Sequence, residues 1–204
     1  MSLERSQALQ AVLDGLRLAI AASASSDHPA VAASDRIFSA LDTVVESAVV
    51  APAQPDVCRH LDQAFAIARS VRPKLSSLID ALHDISGSLH WAPRAGSETG
   101  DPAFSAGHTN AVLVGRGGIE LREDVRIGMS LMAPGIRYPD HRHPPEEVYV
   151  VLSDGEWMQG EGNWFKPGIG GIVYNSPSIL HAMRAPASEP LLAVWLLWEA
   201  PFRA

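Results

Sequence analysis

Residues 138–149 read YPDHRHPPEEVY and place two histidines, two glutamates and two tyrosines in one short segment. Alternate side chains of an extended strand point to the same face. His141 and His143 are therefore expected to share a face, and so are Glu147 and Tyr149 on the following strand. Both pairs can line one cavity if the two segments face it together.

A further histidine, His181, follows 34 residues after Glu147 at the end of another β-rich segment. Imidazoles with one carboxylate are ligands that a borderline divalent transition metal selects, whereas Ca²⁺ and Mg²⁺ prefer oxygen. Glu146 competes with Glu147 for the carboxylate role, and the face shared with Tyr149 favours Glu147. The pattern predicts a metal site made by the two histidines, one glutamate and His181. The remaining histidines are interpreted as surface residues: His28, His60, His83, His90 and His108.

The C-terminal half has the composition of an all-β domain. Short segments rich in β-branched and aromatic residues are separated by clusters of Gly, Pro, Ser and Asp, which favour turns. These segments are 126–132, 147–152, 171–174 and 191–198. Closely spaced strands of this kind predict a sandwich or a small barrel over residues 109–204.

The N-terminal region, residues 1–90, has helical periodicity. The first helix is marked by Leu9, Val12, Leu13, Leu16 and Ile20, which keep the spacing of one buried face. A second helix is expected to start with Ser34 or Asp35 as its cap and to continue to Ala48. Two more helices are expected over 57–68 and 73–85. Residues 91–108 are rich in Pro, Gly, Ser and Thr and are interpreted as a connector.

Composition excludes several classes of protein. With 47% hydrophobic and 19% charged residues, the chain can bury a core. The single cysteine, Cys58, excludes a disulfide scaffold and favours a reducing compartment. No apolar run approaches the roughly 18 residues that a membrane helix needs, so a cytoplasmic protein is expected. Residues 1–100 contain 8 Lys+Arg and 11 Asp+Glu, which argues against nucleic-acid binding. The helices are instead expected to cap the barrel or to pair two subunits of a homodimer.

The spacing of these residues resembles the two motifs of the cupin family over roughly residues 107–200. The first motif matches at Gly135, His141, His143 and Glu147, and the second at Pro167, Gly168, Asn175 and His181. Two departures concern turns: Gly155 closes the first motif one residue late, and Gly-Ile-Gly-Gly replaces the usual Gly-Asp. The resemblance implies a double-stranded β-helix barrel, here preceded by an α-helical region.

Tyr138, Tyr149 and the helical N-terminal region extend this resemblance to the cupin-type dimethylsulfoniopropionate (DMSP) lyases of bacteria. The resemblance implies one divalent transition metal, with Zn, Fe, Mn, Co and Ni all suitable. It implies the ligands His141, His143, Glu147 and His181. It also implies that Tyr149 is the base of a β-elimination that yields dimethyl sulfide and acrylate. Tyr138 would hold the substrate or tune the metal.

A substrate that carries a sulfonium can be held by aromatic faces through cation–π attraction. The candidate rings are Trp157, Trp164, Trp195 and Trp198. Two alternatives stay open on the same scaffold. One is a metal-dependent dioxygenase or isomerase that acts on a small carboxylate or sugar. The other is a ligand-binding cupin without catalysis.

Overall fold

The structure, a computed structural model, describes residues 4–94 and 101–199. Four helices form the N-terminal region, and a short fifth helix precedes the barrel. They are α1 Gln7–Ser23, α2 Pro29–Leu41, α3 Leu61–Val71, α4 Ser76–Ser86 and α5 Pro102–Gly107. The apolar faces predicted for the first, third and fourth helices are buried as expected.

The predicted start of the second helix is wrong. Helix α2 begins at Pro29, and the ring of His28 caps it by accepting from the backbone N–H of Ala30 at 3.2 Å. Proline is favoured in a first helical turn because its missing N–H would have no partner there. Ser34 lies inside the helix, where its hydroxyl donates to the Val31 carbonyl at 2.9 Å. The helix ends at Leu41, so residues 44–48 lie outside it.

Nine strands in the described residues form two antiparallel sheets. They are β1 Trp91–Ala92, β2 His108–Val114, β3 Val125–Met132, β4 Arg137–His141, β5 Glu147–Val151, β6 Glu156–Gln159, β7 Ile172–Asn175, β8 His181–Arg184 and β9 Leu191–Trp198. The larger sheet has the order β1-β2-β3-β9-β5-β7, and the smaller has the order β4-β8-β6. A two-sheet barrel of this kind removes most free strand edges.

Alternation along β9 separates the two hydrophobic cores. Leu192, Val194 and Leu196 pack in the cluster that the helices share with the larger sheet. Ala193 and Trp195 pack in the second cluster, between the two sheets. The helices therefore cover the outer face of the larger sheet, and its inner face lines the barrel. The predicted cupin barrel with an α-helical N-terminal region is confirmed.

The exact domain boundaries stay a prediction. The helices α1–α4 end before residue 90, and the connector contains β1 and α5. Residues 95–100 of the connector lie outside the described residues. Among the residues that are described, no helix combines the length and apolarity needed to cross a bilayer.

A buried ion pair joins the N-terminal segment to the barrel. The guanidinium of Arg5 donates to the carboxylate of Glu120 at 2.5 and 3.0 Å, and Arg122 lies 3.6 Å from the same carboxylate. The side chains of Glu120 and Arg5 are 1% and 7% exposed. Because a buried charge without its partner is costly, both ends of this pair are needed.

We expect Glu120→Ala to lower the free energy of unfolding by about 3–5 kcal/mol, because it leaves the Arg5 charge buried without its carboxylate. Urea denaturation followed by circular dichroism measures this loss. Glu123→Ala is the matched control, since Glu123 pairs with Arg116 at the exposed surface, and should leave stability unchanged within error. Equal losses in the two variants would contradict a special role for the buried pair.

Candidate functional site

Pairing of β4 with β8 brings the two histidine-bearing segments together. His141 closes β4 and lies opposite His181, the first residue of β8. His143 lies in the turn after β4, and its carbonyl accepts from the backbone N–H of Ser178 at 2.9 Å. Each of the three histidines offers a ring nitrogen, and these nitrogens lie within 4.8 Å of one another.

The backbone fixes which ring nitrogen faces the centre. In each histidine, Nδ1 lies within hydrogen-bond distance of a carbonyl two residues away along the chain. The distances are 2.9 Å for His141, 2.9 Å for His143 and 3.0 Å for His181. Only a protonated Nδ1 can donate to a carbonyl, so Nε2 of the neutral ring carries the lone pair. Burial, together with the charge of His181, lowers the pKa of His141 to about 3 and keeps that ring neutral.

Glu147 completes the cluster from β5. Its Oε2 lies 3.3 Å from Nε2 of His143 and 3.3 Å from Nε2 of His181. Burial alone would raise the pKa of Glu147, but the two nearby histidines hold it well below its usual value. Burial lowers the pKa of His143, and the hydrogen bond and charge of Glu147 outweigh that effect and raise it. The carboxylate is therefore ionised inside the barrel.

A chain of amides orients this carboxylate. Nδ2 of Asn175 donates to Oε2 of Glu147 at 2.9 Å, and Nε2 of Gln159 donates to Oδ1 of Asn175 at 2.7 Å. Hydrogen-bond partners of this kind hold metal-ligating groups in place and tune their affinity. The sequence motif contains Asn175. Gln159 belongs to neither motif, and only the fold brings it next to Asn175, so the sequence does not predict its role.

The four side chains fit a divalent transition metal. Nε2 of His181 is buried and has no hydrogen-bond partner among the described residues, although the Glu147 carboxylate is near. A buried polar atom without a partner is costly, and a metal ion would satisfy it. Three imidazole nitrogens and one carboxylate oxygen are a donor set that such ions accept. The fit rests on this orphaned nitrogen and on the convergence of the other donors.

Glu146 faces away from this cluster. Its carboxylate accepts hydrogen bonds from the guanidinium of Arg36 in α2 and, at 2.9 Å, from the hydroxyl of Tyr174. Since Glu146 and Glu147 are consecutive, their side chains leave the backbone on opposite sides. Glu146 joins the helices to the barrel, and Glu147 is the carboxylate that reaches the histidines.

A cavity of about 500 Å³ opens beside the cluster. Both tyrosines of the predicted site line it, together with His141, His143 and Glu147. His181 is not among the residues that line the cavity, but its ring centroid lies 4.1 Å from that of His141. The structure thus brings all six predicted site residues to one place.

The two tyrosines have different surroundings. Burial, with the charge of Glu147, raises the pKa of Tyr149 well above its usual value. Burial also raises the pKa of Tyr138, but Arg94 offsets part of that rise. The Arg94 guanidinium donates to the Tyr138 hydroxyl at 3.0 Å. Arg94 was missed at the level of sequence because it belongs to the connector.

One of the four candidate tryptophans lines the cavity, and it is Trp195. Gly128 on β3 makes room for it, because a Cβ atom there would lie 2.3 Å from the indole ring. Trp157 is buried between the sheets, and the Trp164 ring lies 4.3 Å from the Arg184 guanidinium. Trp198 packs against the core on the helical side.

His108 is not a surface residue, contrary to the sequence interpretation. It is 2% exposed at the start of β2, and its ring stacks on Phe104 at 4.7 Å and meets Tyr138 at 4.8 Å. Its Nε2 lies 3.1 Å from the side chains of both Asn110 and Ser130. Burial lowers its pKa to about 3. The neutral His108 ring therefore packs against the Tyr138 ring and helps to hold it in place.

Comparison with known proteins extends over most of the chain. The family model for dimethylsulfoniopropionate lyase matches residues 30–193. DddL of Cereibacter sphaeroides, assigned as a dimethylsulfoniopropionate lyase, is 26% identical over 145 residues. That alignment covers 71% of this chain and 60% of DddL, so the chain spans about three fifths of the length of that relative.

Two crystal structures share the fold. The DMSP lyase DddQ from Ruegeria pomeroyi DSS-3 superposes with a TM-score of 0.72 at 22% identity, over 98% of this chain and 95% of that chain. A chain from the crystal structures of the DMSP lyases RdDddP and RnDddQII superposes with a TM-score of 0.66 at 20% identity, over 96% and 94%. The family match contains the four candidate ligands and both tyrosines. The chain belongs to the dimethylsulfoniopropionate lyase family.

Proposed function

We infer that this protein is a metal-dependent lyase that cleaves dimethylsulfoniopropionate to dimethyl sulfide and acrylate. The observation that carries the inference is the convergence of three histidines and Glu147 in a cavity that two tyrosines also line. Family membership supports the same reaction. The activity of the whole DddL protein is a proposal for this chain, which spans only part of its length.

His141, His143, Glu147 and His181 are proposed to hold one divalent ion. Zinc, iron, manganese, cobalt and nickel all suit this donor set. When bound, the ion would polarise the substrate carboxylate and lower the pKa of nearby acidic groups. The ligands would also bring the substrate next to the two tyrosines, which line the same cavity.

Tyr149, in its phenolate form, is proposed to remove the proton from the carbon next to the carboxylate, and a bound ion would offset the rise that burial causes in the Tyr149 pKa. It lies two residues from Glu147 on the inner face of β5 and pairs with Trp195 on β9. The electrons of the broken C–H bond form the new double bond, and the C–S electrons leave with sulfur. Dimethyl sulfide is then released as a neutral molecule, and acrylate remains. The elimination consumes neither water nor a redox cofactor.

Trp195 is proposed to hold the sulfonium, since its indole ring is the one that faces the cavity. The guanidinium of Arg126 already lies 5.7 Å from the centroid of this ring, so the ring accepts a cation in the structure. One cation over an aromatic face contributes about 0.5–2 kcal/mol, and a second one is opposed by the charge of Arg126, so the sulfonium would have to displace that guanidinium from the ring. Trp195 would thereby hold the leaving group against the larger sheet, whereas Tyr138 belongs to the smaller sheet.

The test is to incubate the metal-loaded protein with DMSP in a sealed vial and to measure headspace dimethyl sulfide and dissolved acrylate. We expect equal amounts of both products, in air and under nitrogen alike. A reaction that stops under nitrogen would favour the dioxygenase alternative. Tight binding of DMSP without products would favour a binding protein. Turnover of another acid, tested in a parallel panel, would identify that acid as the substrate instead of DMSP. A homodimer and a cytoplasmic location stay predictions.

A further inference from the structure

Arg94 links the two sheets beside the cavity, which its side chain also lines. It follows β1, which pairs with β2 at the edge of the larger sheet through Trp91 and Ala92. Its partner Tyr138 belongs to β4 of the smaller sheet. The two residues are 44 positions apart in sequence, so this contact is made by the fold and not by local geometry.

The chemistry of the two groups fixes the direction of their hydrogen bond. A guanidinium has only donors, so the Tyr138 oxygen accepts from Arg94. The phenolic proton is then directed to another acceptor. Tyr138 lines the cavity, and the rings of His108 and His141 flank its phenol ring at 4.8 and 4.4 Å. The acceptor that this arrangement favours is therefore a molecule bound in the cavity.

We propose that Arg94 is a positioning residue that holds the Tyr138 hydroxyl as a hydrogen-bond donor to the carboxylate of the bound acid. The inference rests on the proposed function for the identity of that acid. Arg94 lines the cavity together with Tyr138, Tyr149 and Glu147, so its positive charge acts on whatever group is bound there. A negatively charged group is the acceptor that this cation would favour most.

A double-mutant cycle on binding tests this proposal without relying on turnover. The probe is acrylate, titrated by calorimetry into metal-loaded protein whose metal content is measured first. We expect Tyr138→Phe to weaken acrylate binding about 10-fold, as for one hydrogen bond to a charged group. Arg94→Met should weaken binding by a similar factor. The double variant should be no weaker than the weaker single variant, because in the proposal Arg94 acts on the bound acid through Tyr138.

Arg94→Lys keeps a donor and a positive charge, and it should recover at least half of the lost affinity on a logarithmic scale. Arg126→Met is the matched control, because this arginine also lines the cavity but lies over Trp195 instead of donating to Tyr138. Any loss of acrylate affinity caused by Arg126→Met should multiply with the loss caused by Tyr138→Phe when the two changes are combined. Thermal unfolding of each variant separates a binding defect from a folding defect.

If the losses of acrylate affinity caused by Arg94→Met and Tyr138→Phe multiply, so that the double variant binds about 100-fold more weakly than wild type, the proposal is overturned. Absence of saturable acrylate binding to the wild-type protein would overturn it as well, since the hydroxyl would have no acceptor of the proposed class. A different outcome would contradict only the proposed lyase function: acrylate binds with the expected coupling, but DMSP yields no dimethyl sulfide.

Discussion

Replacing His143 with alanine will remove the metal and the lyase activity together. The ring is held by its Nδ1 contact with the Pro145 carbonyl, and its Nε2 faces the Glu147 carboxylate. Losing an outer-shell partner of a ligand typically costs 10–100-fold in metal affinity, and losing a ligand itself should cost more. We therefore expect metal affinity to fall at least about 100-fold, with dimethyl sulfide release falling in proportion to the bound metal.

Metal analysis by mass spectrometry and headspace assay of the same samples measure both effects. His83→Ala is the matched control, because His83 lies on α4 beside Asp62 and away from the cavity. It should retain wild-type metal content and activity. Stoichiometric metal in a folded His143→Ala protein would contradict the ligand role of His143.

Alternation along β5 is the part of the site that the sequence predicts best. Val148 and Val150 pack toward the helices, whereas Glu147 and Tyr149 face the barrel. A strand with an apolar core on one side and a polar cavity on the other cannot slip by one residue without exposing its hydrophobic side chains. The period of two is therefore sufficient to choose Glu147 over Glu146.

His141 at the end of β4 and His143 beyond it converge for a different reason from the one that alternation suggests. The strand ends at His141, and its pairing with β8 is irregular between Tyr138 and His141. His143 lies in the turn that follows, before two prolines that cannot donate to a sheet. The grouping of these histidines is right, but the turn, and not the strand, aims the second ring.

Arg94 and His108 could not be assigned from local pattern. Arg94 reaches the site because β1 pairs with the edge of the larger sheet, and nothing in a connector of Pro, Gly and Ser predicts that pairing. For His108, a signal was present in the apolar and β-branched segment 109–114 that follows it. A strand starting at residue 108 would have placed its ring inside the barrel.

Replacing Tyr149 with phenylalanine is expected to leave the metal in place and to lower the turnover number about 100-fold or more, the scale typical of losing an acid–base group. The variant keeps the ring that packs against Trp157, with centroids 6.3 Å apart, so the fold should not change. Only the oxygen that would take the substrate proton is removed. Acrylate release under saturating DMSP, with metal content measured in parallel, gives the comparison.

Tyr174→Phe is the matched control for this experiment. Tyr174 lies on the neighbouring strand β7, opposite Val148, and its hydroxyl donates to Glu146 on the other side of the sheet from the cavity. It loses the same single oxygen and should keep its activity within about threefold, since it contacts neither the ligands nor the cavity. If Tyr149→Phe turns over at a rate close to wild type while Tyr138→Phe is inactive, the base is Tyr138. In that case Arg94 would position the base itself. The substrate carboxylate would then be held without the Tyr138 hydroxyl, in the part of the cavity that the candidate metal ligands line.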